Sequence, residues 1–392
     1  MKKNRPRCPV CAGTMKKNGT TTKGTTRWRC TSPTCGASTT KTRPDRQLSA
    51  DFNTFIDCIC GNASITETAA DHNISRRSLE RRFNTFWFID IDHHIDTARI
   101  YDQIFIDGTY TGAGCLLIAA TRNHVVNWVW AHQETTAAYQ QLLEPLQAPA
   151  MVVLDGGRGA YYAIKQTWPT TRIQRCLVHA QRVVRRHLTS RPRTDAGKTL
   201  YKLALDLTRI TTIDQAAQWT AHLQQFDTVY RTWMDEKTLS ITTGKREYTH
   251  LSVRRAYNSL KHLYQQQWLF SFLQPPQTPT TNNYQWASTT NSLEGGVNAQ
   301  LKLLTRLHRG RSGERQRRML EWWLYLHTEN PRPPIEIAKQ QNWGRDALAK
   351  VNTTPHNENE ADQQTGRPAL YDNAIPTDYN HNLGIQKGWI GT

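Results

Sequence analysis

Ile104-Phe105-Ile106-Asp107-Gly108-Thr109 and Met151-Val152-Val153-Leu154-Asp155-Gly156-Gly157 decide how this chain folds. Each is a short apolar run ended by aspartate and glycine, the pattern of a buried strand stopped by a turn. Between them, residues 114–121 and 125–131 read as two more strands, close enough to pair as an antiparallel meander. A helix is expected over residues 134–146, with Leu142, Leu143 and Leu146 on one face. Beyond the second run come a helix over 159–167, a strand over 171–176 and a helix over 177–188. The order β-β-β-α-β-α-β-α makes an α/β sheet of five strands. A right-handed crossover puts the first and fourth strands side by side and parallel. Asp107 and Asp155 then close neighbouring strands at their carboxyl ends and project into one crevice. Either alone reads equally well as a turn residue, because Asp-Gly is a common turn dipeptide. Together, two carboxylates at short range raise each other's pKa and are tolerated where they hold a divalent cation.

A third acid lies far downstream. The run Thr289-Thr290-Asn291-Ser292-Leu293-Glu294-Gly295-Gly296-Val297-Asn298-Ala299-Gln300-Leu301-Lys302 follows a Pro/Thr/Asn-rich loop and opens a helix. Asn291, Glu294, Asn298 and Lys302 recur at three- and four-residue steps as a polar stripe. Leu293, Val297, Leu301 and Leu304 line the adjoining apolar face. A solvated stripe with one ordinary glutamate explains the pattern equally well. Gly295 and Gly296 cost helix propensity, roughly 1 kcal/mol each, which implies a close approach to the backbone there. Between residues 179 and 294 the chain lacks strand alternation and shows helical periodicity over 200–210, 213–226 and 253–273. Trp219, Trp233 and Trp268 in this span are expected in its core rather than as stacking platforms for bases. Cys176 and His179 lie just past the fifth strand, and two residues alone do not make a structural zinc site.

The N-terminus has a different texture. Cys8-Pro-Val-Cys11 and Cys30-Thr-Ser-Pro-Thr-Cys35 are two close pairs separated by 18 residues, the spacing of a tetrahedral zinc site. Two disulfides are the competing reading, and a cytosolic redox environment disfavours them. Residues 1–48 hold 12 Lys+Arg and one acid, Asp45, which favours a zinc ribbon that contacts DNA. Cys58, Cys60 and Cys115 show no ligand spacing and read as small apolar core residues. Phe52, Phe55, Ile56 and Ile59 recur at helical spacing, and Ser64-Ile65-Thr66-Glu67 reads as a capping box. After a turn at Asn73, Ser75 can cap a helix over 76–83 that carries Arg76, Arg77, Arg81 and Arg82. Two short helices with a basic second member fit a helix-turn-helix, or else an ordinary three-helix unit with a solvated basic face.

Over 392 residues the chain has 50 Lys+Arg and 32 Asp+Glu, a formal charge of +18, so a polyanion is the expected partner. The length suits two or three domains at about 100–200 residues each. No apolar run approaches the roughly 18 residues of a membrane span. The start Met1-Lys2-Lys3-Asn4 has no apolar stretch behind it, so no secretory signal is expected. Basic runs flank the acids. Arg172, Arg175, Arg182, Arg185 and Arg186 lie beside the fifth strand, and Lys302, Arg306, Arg309, Arg311, Arg315, Arg317 and Arg318 follow Glu294. They are placed to neutralise a DNA backbone that the acids repel. Glu314 to Leu326 reads as a closing core helix. Residues 331–392 are Asn-, Pro- and Gln-rich and read as a mostly irregular tail, with 383–390 as a docking segment.

Ile106-Asp107-Gly108, Leu154-Asp155-Gly156-Gly157 with Cys176-Leu177-Val178-His179 downstream, and Asn291-Ser292-Leu293-Glu294-Gly295-Gly296-Val297-Asn298 together resemble the bacterial insertion-sequence transposases of the mutator type. The chain looks most like the actinobacterial branch with an N-terminal zinc ribbon, and the resemblance covers residues 1–330. The resemblance implies an RNase H-like α/β core with a mixed five-stranded sheet and an all-α insertion ahead of the glutamate helix. It implies a DDE triad of Asp107, Asp155 and Glu294 binding two Mg²⁺, with Mn²⁺ as a substitute, and supporting roles for Cys176, His179, Asn291, Asn298 and Lys302. Many such enzymes carry a basic residue seven positions after the glutamate; here that position is Leu301, with Lys302 beside it.

The expected organisation is a zinc ribbon over 1–46 and a helix-turn-helix-like DNA-binding region over 47–98. The core follows over 99–190, the insertion over 191–285, the core again over 286–330 and the tail over 331–392. The implied activity is cleavage at the ends of the protein's own element and transfer of the 3′-OH to target DNA. Double-stranded DNA is the implied substrate, with Arg76, Arg77, Arg81, Arg82, Arg182, Arg185, Arg306, Arg309 and Arg311 as contacts. No membrane and no small-molecule substrate are implied; acting on two DNA ends implies at least a homodimer, in the bacterial cytoplasm at the nucleoid. The rival expectations are a non-catalytic DNA-binding regulator and a metal-dependent nuclease of the same fold that cleaves without joining.

Overall fold

The computed structural model describes residues 5–353 apart from 9, 10, 12, 23, 41–43, 92, 277–283 and 312. The 383–390 segment lies outside the described residues. The chain divides into two compact units, one of residues up to 58 with 65–89 and 333–350, the other of 59–64 and 90–332.

In the first unit, β1 (Met15–Thr20), β2 (Thr26–Cys30) and β3 (Ser38–Thr40) form an antiparallel sheet in that order. Among the described residues its buried core is Cys8, Met15, Trp28 and Cys30, too little apolar surface to hold such a fold unaided. Three helices follow: α1 (Pro44–Cys60), α2 (Ile65–Asp71) and α3 (Arg76–Phe83). Phe52 and Phe55 lie three residues apart on α1, so they share a face. The Phe55 ring meets Trp87 edge-on at 4.8 Å and Phe83 at 5.3 Å, and Phe52 meets Phe86 at 5.3 Å. Asn73 turns the chain between α2 and α3 at φ 52°, the left-handed region asparagine tolerates. The Ser75 hydroxyl then caps α3 by accepting from the Ser78 N–H at 3.2 Å. Composition did not foretell the helices Pro334–Gln340 and Arg345–Thr353. Buried Ile337, Ala338 and Trp343 anchor this stretch, with Trp343 5.8 Å from the Phe52 ring.

The second unit is built on a five-stranded mixed sheet of β4 (Gln103–Thr111), β5 (Gly114–Ala120), β6 (Val125–Ala131), β7 (Met151–Leu154) and β8 (Arg172–Arg175), in the order β6-β5-β4-β7-β8. β4 pairs antiparallel with β5 and parallel with β7, as the crossover argument requires. On one face α4 (Thr136–Leu143) and α5 (Arg158–Thr167) bury Tyr139, Leu142, Leu143, Ala163 and Ile164 against Ile104, Ile106, Val152 and Leu154. α6 (Leu177–Leu188) leaves β8 and packs Leu177, Ala180, Val184 and Leu188 into a helical cluster with α7 (Asp195–Asp206), α8 (Ile213–Met234) and α9 (Leu251–Gln265). α8 opens with a full capping box, Thr212 and Gln215 satisfying each other's backbone N–H. Trp219 is buried in this cluster, Trp233 packs at its edge, and Trp268 packs on the sheet core.

The insertion is not wholly helical. β9 (Lys237–Leu239) and β10 (Arg246–Tyr248) form a short exposed hairpin. Three-residue strands with little burial leave no alternation to detect, so periodicity could not reveal them. A π-helical turn over Ser292–Asn298 runs into α10 (Ala299–Leu307), and α11 (Gly313–Leu326) closes the unit. α11 is tied to β6 by Trp130 donating to Glu321 at 3.0 Å, and just beyond it by the Val125 N–H on the His327 carbonyl at 2.8 Å. No helix of the described residues is long and apolar enough to cross a membrane.

Candidate active site

The parallel register of β4 and β7 ends at Ile106 opposite Leu154. The next residue on each strand is an aspartate. Asp107 does not end its strand, as expected from the Asp-Gly pattern, because β4 continues to Thr111 through its pairing with β5. It ends only the parallel ladder. β7 does stop, and Gly156 turns the chain at φ 101°. A Cβ there would also lie 1.6 Å from the Arg175 guanidinium, so glycine is required twice over. The Asp107 carboxylate accepts from the Gly108 N–H at 3.0 Å, and the Asp155 carboxylate from the Gly157 N–H at 2.9 Å.

Glu294 enters from the π turn. Asn298, one turn on and buried, donates its amide to Asp107 Oδ2 at 2.7 Å and so ties that turn to β4. Glu294 accepts from the Thr290 hydroxyl at 2.6 Å and from Arg182 at 2.8 Å, while His179 Nδ1 lies 3.3 Å from its Oε1. Cys176 is buried, and its sulfur accepts from the Thr290 N–H at 3.3 Å, with the Thr290 hydroxyl oxygen at the same distance. Asn291 and Lys302 are exposed, with no hydrogen bond or ion pair to the acids among the described residues. Among the described residues, the turn's own backbone aside, no atom lies within 4 Å of a Cβ built on Gly295 or Gly296. The close approach expected at that glycine pair is not made by the described residues.

A fourth acid was not anticipated. Glu134 precedes Thr135, the N-cap of α4, and its carboxyl accepts from the Tyr139 hydroxyl at 3.0 Å. A Cβ on Gly108 would fall 2.6 Å from Glu134 Oε1, and one on Gly157 would lie 3.8 Å from Oε2 and 3.6 Å from Asp155 Oδ1. Topology carried the signal. Two antiparallel steps make β6 run the same way as β4, so the chain leaving β6 emerges at the edge where the aspartates sit.

The electrostatics follow from burial and crowding. Burial, then the charges of Asp155 and Glu294, push Asp107 up to about 7, with His179 opposing and Glu134 adding. Burial also pushes Glu134 up, against the hydrogen bond from Tyr139, with Asp155 adding. For Glu294 burial acts upward too, but the hydrogen bonds from Thr290 and Arg182 and the nearby His179 and Arg182 outweigh it and hold it low. The hydrogen bond with Cys176 raises His179 against the effect of burial. Arg175, expected among the DNA contacts, is instead half-buried beside Asp155. Arg317 and Arg318 pair internally, the first with Glu314 and the second with Asp90 and Glu321.

Arg182 aside, the other expected DNA contacts show no hydrogen bond or ion pair to the three acids among the described residues. Arg76, Arg77, Arg81 and Arg82 are exposed on α3, as are Arg185, Arg306 and Arg309 on or beyond their helices. Arg311 is half-buried. In the first unit, Cys8, Cys11, Cys30 and Cys35 bring their sulfurs within 4.8 Å of one another, so the four could bind zinc. Cys8 and Cys35 sulfurs are 3.7 Å apart and those of Cys11 and Cys30 3.5 Å. Zinc–sulfur bonds of about 2.3 Å in a tetrahedron give edges of about 3.8 Å. The family model described as Transposase, Mutator family, matches residues 74–268. No curated protein matches the chain.

Proposed function

Through residues 74–268 the chain belongs to the Mutator family of transposases, and from that premise we propose that Asp107, Asp155 and Glu294 are its catalytic acids. The reading rests above all on one observation. Asp107 and Asp155 directly follow the last parallel pair of β4 and β7, with the Glu294 turn tied to Asp107 through Asn298. The five-stranded mixed sheet, interrupted ahead of Glu294 by a largely helical insertion, supports an RNase H-like reading of the core.

The donor set suits Mg²⁺. All the donors are carboxylate oxygens, and Asp107 is pushed up to about 7 by burial and then by the charges of Asp155 and Glu294, which a hard dication would offset. Asp107, Asp155 and Glu294 would hold it, with Glu134 as a further oxygen donor at the same edge. Bound there, Mg²⁺ supplies charge stabilisation for the attacking and leaving oxygens of an in-line phosphoryl displacement. The residues do the rest. Asn298 and Gly108 fix the Asp107 carboxylate, Gly157 fixes that of Asp155, and Thr290 aims Glu294. Arg182, exposed and bonded to Glu294, is placed to exchange that carboxylate for a DNA phosphate.

On this reading the protein binds the ends of its element, cleaves there and joins the 3′-OH to target DNA, acting as at least a homodimer. The cysteine cluster is a zinc ribbon, and α2–Asn73–α3 is a helix-turn-helix whose second helix faces DNA. Asp107→Asn, Asp155→Asn and Glu294→Gln are each expected to lower strand transfer on end oligonucleotides at least a thousandfold at unchanged protein level. Retained transfer in any of the three removes that residue from the triad. Cleavage without joining in the wild type would instead mark a nuclease.

A further inference from the structure

The geometry points to Cys176, His179 and Glu294 as a binding site for a soft divalent cation, zinc, separate from the oxygen donors of the aspartates. Cys176 is the N-cap of α6 and His179 stands three residues on, so both side chains share one face of its first turn. Glu294 meets them from the π turn. A sulfur, a ring nitrogen and a carboxylate oxygen of the three lie within 4.8 Å of one another. In tetrahedral zinc with bonds of about 2.0–2.3 Å, neighbouring donors stand about 3.3–3.8 Å apart. His179 Nδ1 and Glu294 Oε1 are already 3.3 Å apart, the spacing of two ligands on one ion.

The surroundings favour the same ion. The Thr290 N–H donates to the Cys176 sulfur, an environment that stabilises the thiolate a metal needs. Arg182 engages Glu294 Oε2, while Oε1 faces both the Thr290 hydroxyl and the histidine. Thiolate and carboxylate together match a double positive charge, and binding releases the thiol proton to solvent. Sulfur as a donor selects against Mg²⁺, which takes oxygen ligands. Three protein donors leave a fourth position for water.

The consequence rests on the proposed catalytic role of Glu294. An ion at this site holds Glu294 against α6, away from Asp107 and Asp155, so zinc is a brake on the Mg²⁺-dependent reaction.

Co²⁺ titration of the metal-stripped full chain, read by thiolate-to-cobalt charge-transfer absorption, tests the site. Two equivalents are expected, one at the N-terminal cysteine cluster and one with a single-thiolate band. Cys176→Ser and His179→Ala should lose the second equivalent, and Glu294→Gln should bind it at least tenfold more weakly. Absence of the single-thiolate band, or its persistence in both Cys176→Ser and His179→Ala, overturns the proposal. If Cys176→Ser does not fold by circular dichroism, His179→Ala carries the comparison. In strand transfer, the half-inhibiting zinc concentration, measured against each protein's own zinc-free rate, should rise at least tenfold in Cys176→Ser. Cobalt binding as expected in a chain without strand transfer leaves the metal site standing and sinks the proposed strand-transfer activity of the acids. Transfer without cobalt binding at the trio does the reverse.

Discussion

Asp107 carries the clearest consequence at the scale of single residues. Its folded pKa of about 7 lies above the ordinary carboxyl value of 3.8, so the folded state holds this proton more tightly than the unfolded chain. The sign is therefore adverse: Asp107 costs nothing below about pH 4, and its penalty grows as pH rises to about 7, on the order of a few kcal/mol. In buffer without divalent cation, Asp107→Asn should unfold several degrees above wild type at pH 8 and level with it near pH 4. Thermal denaturation at the two pH values checks this, and Mg²⁺ should narrow the gap by raising the wild type alone. Glu134 answers to a different measurement. Glu134→Gln should raise the Mg²⁺ concentration needed for half-maximal strand transfer at least tenfold, and Gly108→Ala should do so through displacement of the Glu134 carboxylate. If both variants keep the wild-type metal dependence, Glu134 is only a partner of Tyr139. The two aspartates were legible from Asp-Gly endings and crossover handedness. Glu134 was not, because its place at the edge depends on the direction in which β6 runs.

At the scale of elements, the glutamate segment departs most from its sequence reading. A stripe at three- and four-residue steps fits an α-helix, yet Ser292–Asn298 takes a π turn and only α10 beyond it is regular. Wider turns of this kind recur at functional sites. Both glycines in the turn face open space, so Gly296→Ala should leave stability unchanged or raise it by about 0.5–1 kcal/mol. The same variant should weaken binding of DNA ends if the phosphate backbone is what approaches there. Denaturant unfolding and a binding isotherm on one preparation separate the two effects. α6 teaches the complementary lesson. Its sequence place after β8 assigned it to the sheet core, but its apolar face belongs to the helical cluster with α7, α8 and α9. It thus links the insertion to the residues that hold Glu294.

For the whole molecule, the +18 charge is divided between basic side chains in solvent and basic side chains spent inside the fold. Arg76 pairs with Glu80 and Arg82 with Asp51, whereas Arg77 and Arg81 are exposed on α3 with no ion pair among the described residues. Removing one side chain that neutralises a phosphate lowers the slope of log affinity against log salt by about one. Arg77→Ala and Arg81→Ala should therefore reduce that slope more than Arg76→Ala or Arg82→Ala. Equal slopes in all four would place DNA elsewhere on the protein. Local pattern by itself determined the five strands of the mixed sheet and the pairing of β4 with β7, because apolar runs ended by turn residues are local and crossover handedness is fixed by strand twist. It also determined the cysteine cluster, through spacing that one turn can close. Only the tertiary structure decided that Glu134 joins the aspartates, that Arg175 sits half-buried beside Asp155, and that Cys176 and His179 meet Glu294. Those meetings join segments from 20 to 118 positions apart, where no periodicity reaches and packing alone sets the distance.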